Sequence, residues 1–223
     1  MNDIQYIQEI SKQVLNDIPV ITKKQFFEIS EPGDIVLASP PKRFLKMKKF
    51  PIFTKMIMLG QGLKTSSSKI IVNNNSIAGY GVLHTKRDFA IRKLTTWLPD
   101  REASILIRPP KEVTDQQKQD AVSFIMKYDK ANYDQTQIFK SGWRRTIKKF
   151  KGKLLSIIKK SSDSSMSDMV DYIKEEYICS NIISVAYYQA GFKNKINGNN
   201  VEDIWPIDFL LDKSFQKIGR FGI

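Results

Sequence analysis

The 223-residue sequence contains one cysteine and one histidine. A single cysteine excludes an intramolecular disulfide and a thiolate-rich zinc site, and a single histidine argues against a metal site built from several imidazoles. We therefore expect no metal and no other cofactor. Apolar runs are also short: none approaches the ~18 residues of a membrane-spanning helix, so we expect no transmembrane segment.

Acidic residues are fewer than basic ones, with 23 Asp and Glu against 36 Lys and Arg, which gives a net charge of +13. Such an excess indicates an anionic partner, namely nucleic acid, a membrane face, a cell-wall polymer or an acidic protein. Solubility and a lysine-heavy residue usage explain the same excess equally well. The positive charge is densest at residues 42–49 and 140–160, so we expect an anionic partner or assembly neighbours to bind there.

Residues 140–160 also have apolar side chains at spacings of four and three, which predicts an amphipathic helix with a cationic face. Those side chains are Trp143, Ile147, Phe150, Leu154 and Ile157. Direct binding of nucleic acid or an anionic membrane by this block is one hypothesis, and a solvated face or an assembly contact is favoured over it.

The first residues, MNDIQYIQEISKQ, are acidic and polar and do not resemble a secretory signal peptide. We accordingly expect a cytoplasmic or virion-associated protein. Apolar residues spaced by three and four from Ile4 to Ile18 predict a helix that braces the main domain. The predicted organisation is therefore a brace helix and linker at 1–30, and a main domain at 31–223 with a basic insertion at about 140–165.

Short apolar runs bounded by turn residues predict strands, and a Thr114–Gln117 capping box predicts the start of a helix. The predicted strands cover 34–38, 69–73, 81–85, 90–94, 104–108 and 214–221, and the predicted helices cover 114–128, 180–190 and 206–211. The segments NNNS and IAGYG are predicted turns. This order of elements predicts an α+β fold, with a small antiparallel sheet and helices packed on one side.

Cys179 precedes residues with helical spacing, so it is predicted to lie at the first turn of an apolar-faced helix. A thiol in that position is near unpaired backbone N–H groups and the positive end of the helix dipole, which favour the thiolate. This placement suits a nucleophile. The alternative is a small buried cysteine that packs the start of the helix.

Four segments, in order, resemble the permuted NlpC-type superfamily of papain-like proteins, which includes cell-wall peptidases and lecithin:retinol acyltransferase-like enzymes. The segments are Gly33-Asp34-Ile35-Val36-Leu37, Asn132-Tyr133-Asp134 with Phe139, Cys179-Ser180 with Ala186-Tyr187, and Trp205-Pro206-Ile207-Asp208-Phe209-Leu210 with Phe215. The resemblance extends from Gly33 to Ile218 and implies a permuted papain-like fold with Cys179 as its nucleophile.

The family's general base is a histidine on the strand after the first loop, and the next strand supplies a polar group that orients it. The matching segment here, Ser68-Lys69-Ile70, has Lys69 in place of that histidine, and His84 matches the orienting group. Either His84 has become the base for Cys179 while Lys69 stabilises the thiolate, or activity has been lost and the fold serves a structural role. Shifting this alignment by a residue or two supplies no histidine, since the chain has no other.

The resemblance thus implies a cysteine hydrolase that acts on an amide or ester bond in a cell-wall peptide or a lipid acyl group. The alternative is a catalytically silent structural or interaction component of a larger assembly such as a phage virion.

Overall fold

A computed structural model of the protein describes residues 13–40, 67–80, 89–127 and 179–222, together with Glu9, Thr65, 132–133 and 176–177. Several predictions made above lie outside these residues. They are the start of the brace helix, the strand at 81–85 with His84, the residues after Tyr133 in the second motif, and the basic segments 42–49 and 140–165.

The described strands form one large antiparallel sheet and one small parallel pair. They are β1 (Ile35–Ala38), β2 (Ser67–Asn73), β3 (Ser76–Tyr80), β4 (Phe89–Lys93), β5 (Ser104–Arg108), β6 (Asn132–Tyr133), β7 (Glu176–Tyr177) and β8 (Gln216–Phe221). The large sheet has the strand order β4-β3-β2-β1-β5-β8, and all its neighbours are antiparallel. Strands β6 and β7 form the separate parallel pair.

The α-helices with defined bounds are α1 (Lys23–Ile29), α2 (Leu94–Trp97), α3 (Asp115–Met126), α4 (Cys179–Gln189) and α5 (Pro206–Leu211). Two 3-10 turns cover Leu98–Asp100 and Val201–Asp203, and residues 13–16 are also helical. Together with the antiparallel sheet, these helices confirm the predicted α+β class.

The large sheet has a hydrophobic core on each face. Successive strand side chains point to opposite faces. Ile35 and Ile70 pack with residues of α3, α4 and α5, whereas Val36 and Ile71 pack with residues of α1 and α2. The prediction of helices on one side only is therefore wrong, because α1 and α2, two short helices that were not predicted from the sequence, cover the second face.

Most of the predicted elements agree with the structure to within a few residues. The capping box of α3 is confirmed: the Gln117 backbone N–H donates to Thr114 Oγ1 at 3.2 Å, and the Thr114 N–H donates to Gln117 Oε1 at 2.9 Å. A second prediction is wrong: residues 77–80, the described part of IAGYG, lie in strand β3 and not in a turn. Gly79 has a φ of 149°, and a Cβ there would lie 3.0 Å from Lys69 Cγ, so this glycine leaves room for the lysine of the paired strand.

The segment before α1 packs on the domain and along β8. Leu15 and Ile18 are buried in the same core as α3 and α4. Val20 forms a parallel bridge with Arg220, whose backbone N–H donates to the Pro19 carbonyl at 2.8 Å. The outer edge of β8 is thus partly paired by a segment from near the other end of the chain.

The Gly33-Asp34 motif joins β1 to other elements. Gly33 has a φ of 91°, and a Cβ there would lie 2.9 Å from Lys118 Cβ and 3.0 Å from the Tyr187 hydroxyl. That hydroxyl donates a hydrogen bond to the Gly33 carbonyl. Asp34 accepts hydrogen bonds from Arg108 and from the Glu31 N–H. The motif therefore links β1 to α4 through its glycine and to β5 through its aspartate.

We expect Tyr187→Phe to lower the free energy of unfolding by about 1–2 kcal/mol, because a buried carbonyl loses its donor. Urea denaturation measures this change. The matched control is Tyr188→Phe, since the Tyr188 hydroxyl makes no hydrogen bond with the described part of the chain; it should change stability by less than about 0.5 kcal/mol. Equal effects of the two substitutions would contradict the role given to Tyr187.

Candidate functional site

Cys179 is the first residue of α4, and one residue separates it from the end of β7. It is buried, with 6% of its surface exposed, and belongs to the core that α4 forms on the sheet. Strand β7 pairs in parallel with β6, in the register Tyr133 with Tyr177. The structure therefore brings the Asn132-Tyr133 motif next to the chain that leads into the cysteine.

Two serines in the first turns of α4 fix this helix to the segment before α5. Ser180 Oγ donates to the Ile204 carbonyl at 2.5 Å, and Ser184 Oγ donates to the Val201 carbonyl at 2.8 Å. The neighbouring Asp208 in α5 accepts hydrogen bonds from the Trp205 N–H at 2.7 Å and from two asparagine side chains. These serine hydroxyls therefore hold α4 against the segment before α5.

Lys69 lies on the face of the sheet opposite Cys179. Its Nζ is 5.9 Å from the centroid of the Trp97 ring, and the guanidinium carbon of Arg101 is 4.5 Å from the same centroid. Ile71, two residues further along β2 and thus on the same face as Lys69, packs in the core with Trp97. The structure does not bring Lys69 and Cys179 together on one face.

Burial lowers the pKa of the Lys69 ammonium to about 7, and the positive charge of Arg101 acts in the same direction. Cys179 acts in the opposite direction and raises this pKa, while Arg92 lowers it further.

On β2, Ser68 is a polar residue whose side chain shares the face of Cys179. It lies two residues before Ile70, which packs in the core with Cys179, so strand alternation points both β2 side chains to that face. Ser68 is completely buried, and its hydroxyl has no hydrogen-bond partner among the residues the structure describes.

The packing of α4 on β2 sets the start of the helix toward the Ser68 end of the strand. Tyr187, near the end of the helix, reaches Gly33, whose N–H donates to the Ile71 carbonyl at 2.8 Å. Cys179 lies about two helical turns earlier, or roughly 12 Å along the axis. That length corresponds to about 3.5 strand residues, and because α4 packs on β2, it leads from the Ile71 end of the strand toward its Ser68 end.

Sequence reasoning located Cys179 at its helix start but missed Ser68. The signal that would have identified Ser68 is strand alternation, and this signal was unreadable because both Ile70 and Ile71 are fully buried. His84, the predicted base, lies outside the described residues.

In the part of the chain that the structure describes, no cluster of three or more His, Cys, Asp or Glu side chains is arranged to hold a metal ion. Across that same part, every helix is too short or too polar to span a membrane. Comparison of the chain with models of known protein families and with curated proteins gave no match. The class that the structure defines is thus an α+β protein with a buried cysteine at the start of a helix on an antiparallel sheet.

Proposed function

We propose that this chain is a papain-like cysteine hydrolase of the permuted NlpC type, which cleaves an amide or ester bond through Cys179. The observation that carries the proposal is the position of Cys179 at the first residue of α4, where the backbone N–H groups of the first helical turn have no partner within the helix. Such a position offers donors to a developing oxyanion.

The contacts among the four sequence motifs support this proposal. Tyr187 of the cysteine helix bonds to Gly33 of the first motif, and Ser180 bonds to Ile204, next to the last motif. Tyr133 of the second motif pairs with Tyr177, two residues before the cysteine. Segments far apart in sequence therefore meet around α4, as a shared site requires.

In the proposed reaction the imidazole of His84 takes the proton of the Cys179 thiol, and the sulfur attacks the carbonyl carbon. A sulfur–carbon bond forms, and the carbonyl π electrons move to the oxygen. Collapse of this tetrahedral species expels the amine or alcohol, which takes a proton from the imidazolium, and water then hydrolyses the thioester. His84 is the base because it is the chain's one imidazole. Lys69 contributes a charge through the sheet and no proton transfer, since it faces away from Cys179.

By resemblance, the substrate is a peptidoglycan stem peptide or a lipid acyl group. The basic segments 42–49 and 140–160 are the proposed contacts for an anionic substrate carrier, such as a wall polymer or a membrane surface.

The second candidate function is that of a catalytically silent component of a larger assembly such as a phage virion. It is favoured by the orientation of Lys69 away from Cys179 and by the 6% exposure of the cysteine. In this case the basic segments contact neighbouring proteins or an anionic partner, with nucleic acid the weaker choice.

Hydrolysis of fluorogenic ester and amide substrates by the wild type, Cys179→Ala and His84→Ala tests the first proposal. We expect the wild type to turn over substrate and both variants to fall to the rate of the buffer blank. Tyr188→Phe, which alters a hydroxyl on the same helix, should retain the wild-type rate. Equal rates for the wild type and Cys179→Ala would refute the hydrolase. An inactive wild type that mass spectrometry finds in purified particles would support the assembly role.

A further inference from the structure

We infer that the hydroxyl of Ser68 binds the carbonyl oxygen of an acyl group that Cys179 attacks. This inference rests on the proposed acyl chemistry of Cys179, and it assigns to Ser68 a role that the sequence alignment gave to no residue.

The Ser68 side chain lies on the face of β2 that packs against α4. Alternation from Ile70 directs the Ser68 side chain to the core that contains Cys179. The bond from Tyr187 to Gly33 and the packing of α4 on β2 direct the start of the helix toward the Ser68 end of the strand. The thiol and the hydroxyl therefore lie on the same face of the sheet and toward the same end of β2.

The Ser68 hydroxyl has no hydrogen-bond partner in the described part of the chain. A buried hydroxyl without a partner costs about 1–3 kcal/mol, and folded proteins rarely leave one in this state without a reason. Two nearby serines are satisfied: Ser67 Oγ donates to the Ala38 carbonyl at 3.5 Å, and Ser39 Oγ accepts from the N–H groups of Glu102 and Ala103, each at 3.0 Å. The hydroxyl of Ser104 on β5, like that of Ser68, has no partner in the described part of the chain. Alanine at position 68 would fit the apolar surroundings better, so the hydroxyl is best explained by a ligand that bonds to it.

At this place a serine can donate a hydrogen bond but cannot act as the base. A hydroxyl does not accept a proton from a thiol near neutral pH, because the protonated alcohol is far too acidic, so Ser68 is not the base. It can donate a hydrogen bond to the oxygen that becomes negative when the sulfur–carbon bond forms, without any transfer of its proton. Ser68 and the N–H groups at the start of α4 would then approach this oxygen from the sheet and from the helix.

The test compares acylation of Cys179 by p-nitrophenyl acetate with its reaction with methyl methanethiosulfonate. Acylation passes through an oxyanion, whereas thiol–disulfide exchange does not. Intact mass and peptide mapping identify the modified residue, and Cys179→Ala gives the background. The variants are Ser68→Ala and, as matched control, Ser67→Ala, in which the adjacent serine on the opposite face is changed.

We expect Ser68→Ala to slow acylation at least about 10-fold while the rate of disulfide exchange stays within 2-fold, since loss of an oxyanion donor acts on acyl transfer alone. Ser67→Ala should change neither rate. We also expect Ser68→Ala to raise the melting temperature, because it removes an unsatisfied buried hydroxyl. Three results would each overturn the inference. They are equal acylation rates in the wild type and Ser68→Ala, a melting temperature of Ser68→Ala below that of the wild type, and no acylation of Cys179 at all.

These results separate the inference from the proposed hydrolase. If Cys179 is acylated in a Ser68-dependent way but the thioester does not turn over, the hydrolase proposal fails and the inference stands. If turnover occurs at equal rates with and without the Ser68 hydroxyl, the hydrolase stands and the inference fails.

Discussion

Lys69→Met is expected to raise the free energy of unfolding at pH 7 by roughly 3–4 kcal/mol and to make stability less dependent on pH between 7 and 10. In the wild type the Lys69 side chain is 5% exposed, and its burial lowers the pKa of the ammonium to about 7, helped by the charge of Arg101. In the unfolded chain the same group has a pKa near 10.4. Between these values the unfolded state binds more protons than the folded state, so wild-type stability rises with pH across this window.

Urea denaturation of the wild type and Lys69→Met at pH 7, 8, 9 and 10 measures the effect. The difference between the two proteins should shrink to about 1 kcal/mol at pH 10, because the lysine is then neutral in the folded protein and has begun to lose its proton in the unfolded chain. Lys24→Met serves as control, because the Lys24 side chain is 86% exposed. A Lys69→Met difference that stays constant across this pH range would show that the Lys69 ammonium keeps its usual pKa in the folded protein.

Asp34→Ala is expected to destabilise the protein by roughly 3–5 kcal/mol, because it leaves a partly buried cation without its main partner. The Asp34 side chain is 1% exposed and accepts hydrogen bonds from Arg108 Nε at 3.0 Å and Nη2 at 3.1 Å. It also accepts from the Glu31 N–H at 2.8 Å. Burial raises the pKa of Asp34, and the bonds from Arg108 and Glu31 oppose that rise, so the carboxylate depends on these partners.

A double-mutant cycle with Arg108→Met tests this dependence. If the pair is coupled, the double variant should be at least about 1 kcal/mol more stable than the sum of the single changes predicts. Asp115→Ala is the surface control: Asp115 pairs with Lys118 at 2.9 Å, but its side chain is 88% exposed, and its loss should cost less than about 1 kcal/mol. If the changes in unfolding free energy caused by Asp34→Ala and Arg108→Met are additive, the ion pair contributes nothing specific to stability.

Local signals in the sequence were sufficient for most elements of the fold. The capping box at Thr114 and the helical spacing after Cys179 identified α3 and α4 because both signals arise within one turn of the chain. Strand β3 was missed because Gly79 and its neighbours favour a turn locally, and pairing with both β2 and β4 overrides that preference. Helix α2 was missed since four residues carry too little periodicity to detect.

The site was predictable only in part. The place of Cys179 at a helix start follows from residues adjacent in sequence, whereas the orientation of Lys69 depends on which face of β2 turns toward α4. A strand with one polar face reveals its orientation by alternation. Strand β2 is buried on both faces, as Ile70 and Ile71 show, so only the folded sheet distinguishes Ser68 from Lys69.

The bridge between Val20 and Arg220 affects how the protein folds during synthesis. It completes the sheet edge with segments about 200 residues apart, a contact of very long range that is slow to form. A ribosome that adds ~5–20 residues per second needs on the order of 10 seconds or more between the synthesis of Val20 and that of Arg220. Until β8 emerges, β5 has an unpaired edge in the nascent chain, and such edges invite association with other chains. Chaperone occupancy of nascent chains should therefore fall only after β8 has left the ribosome.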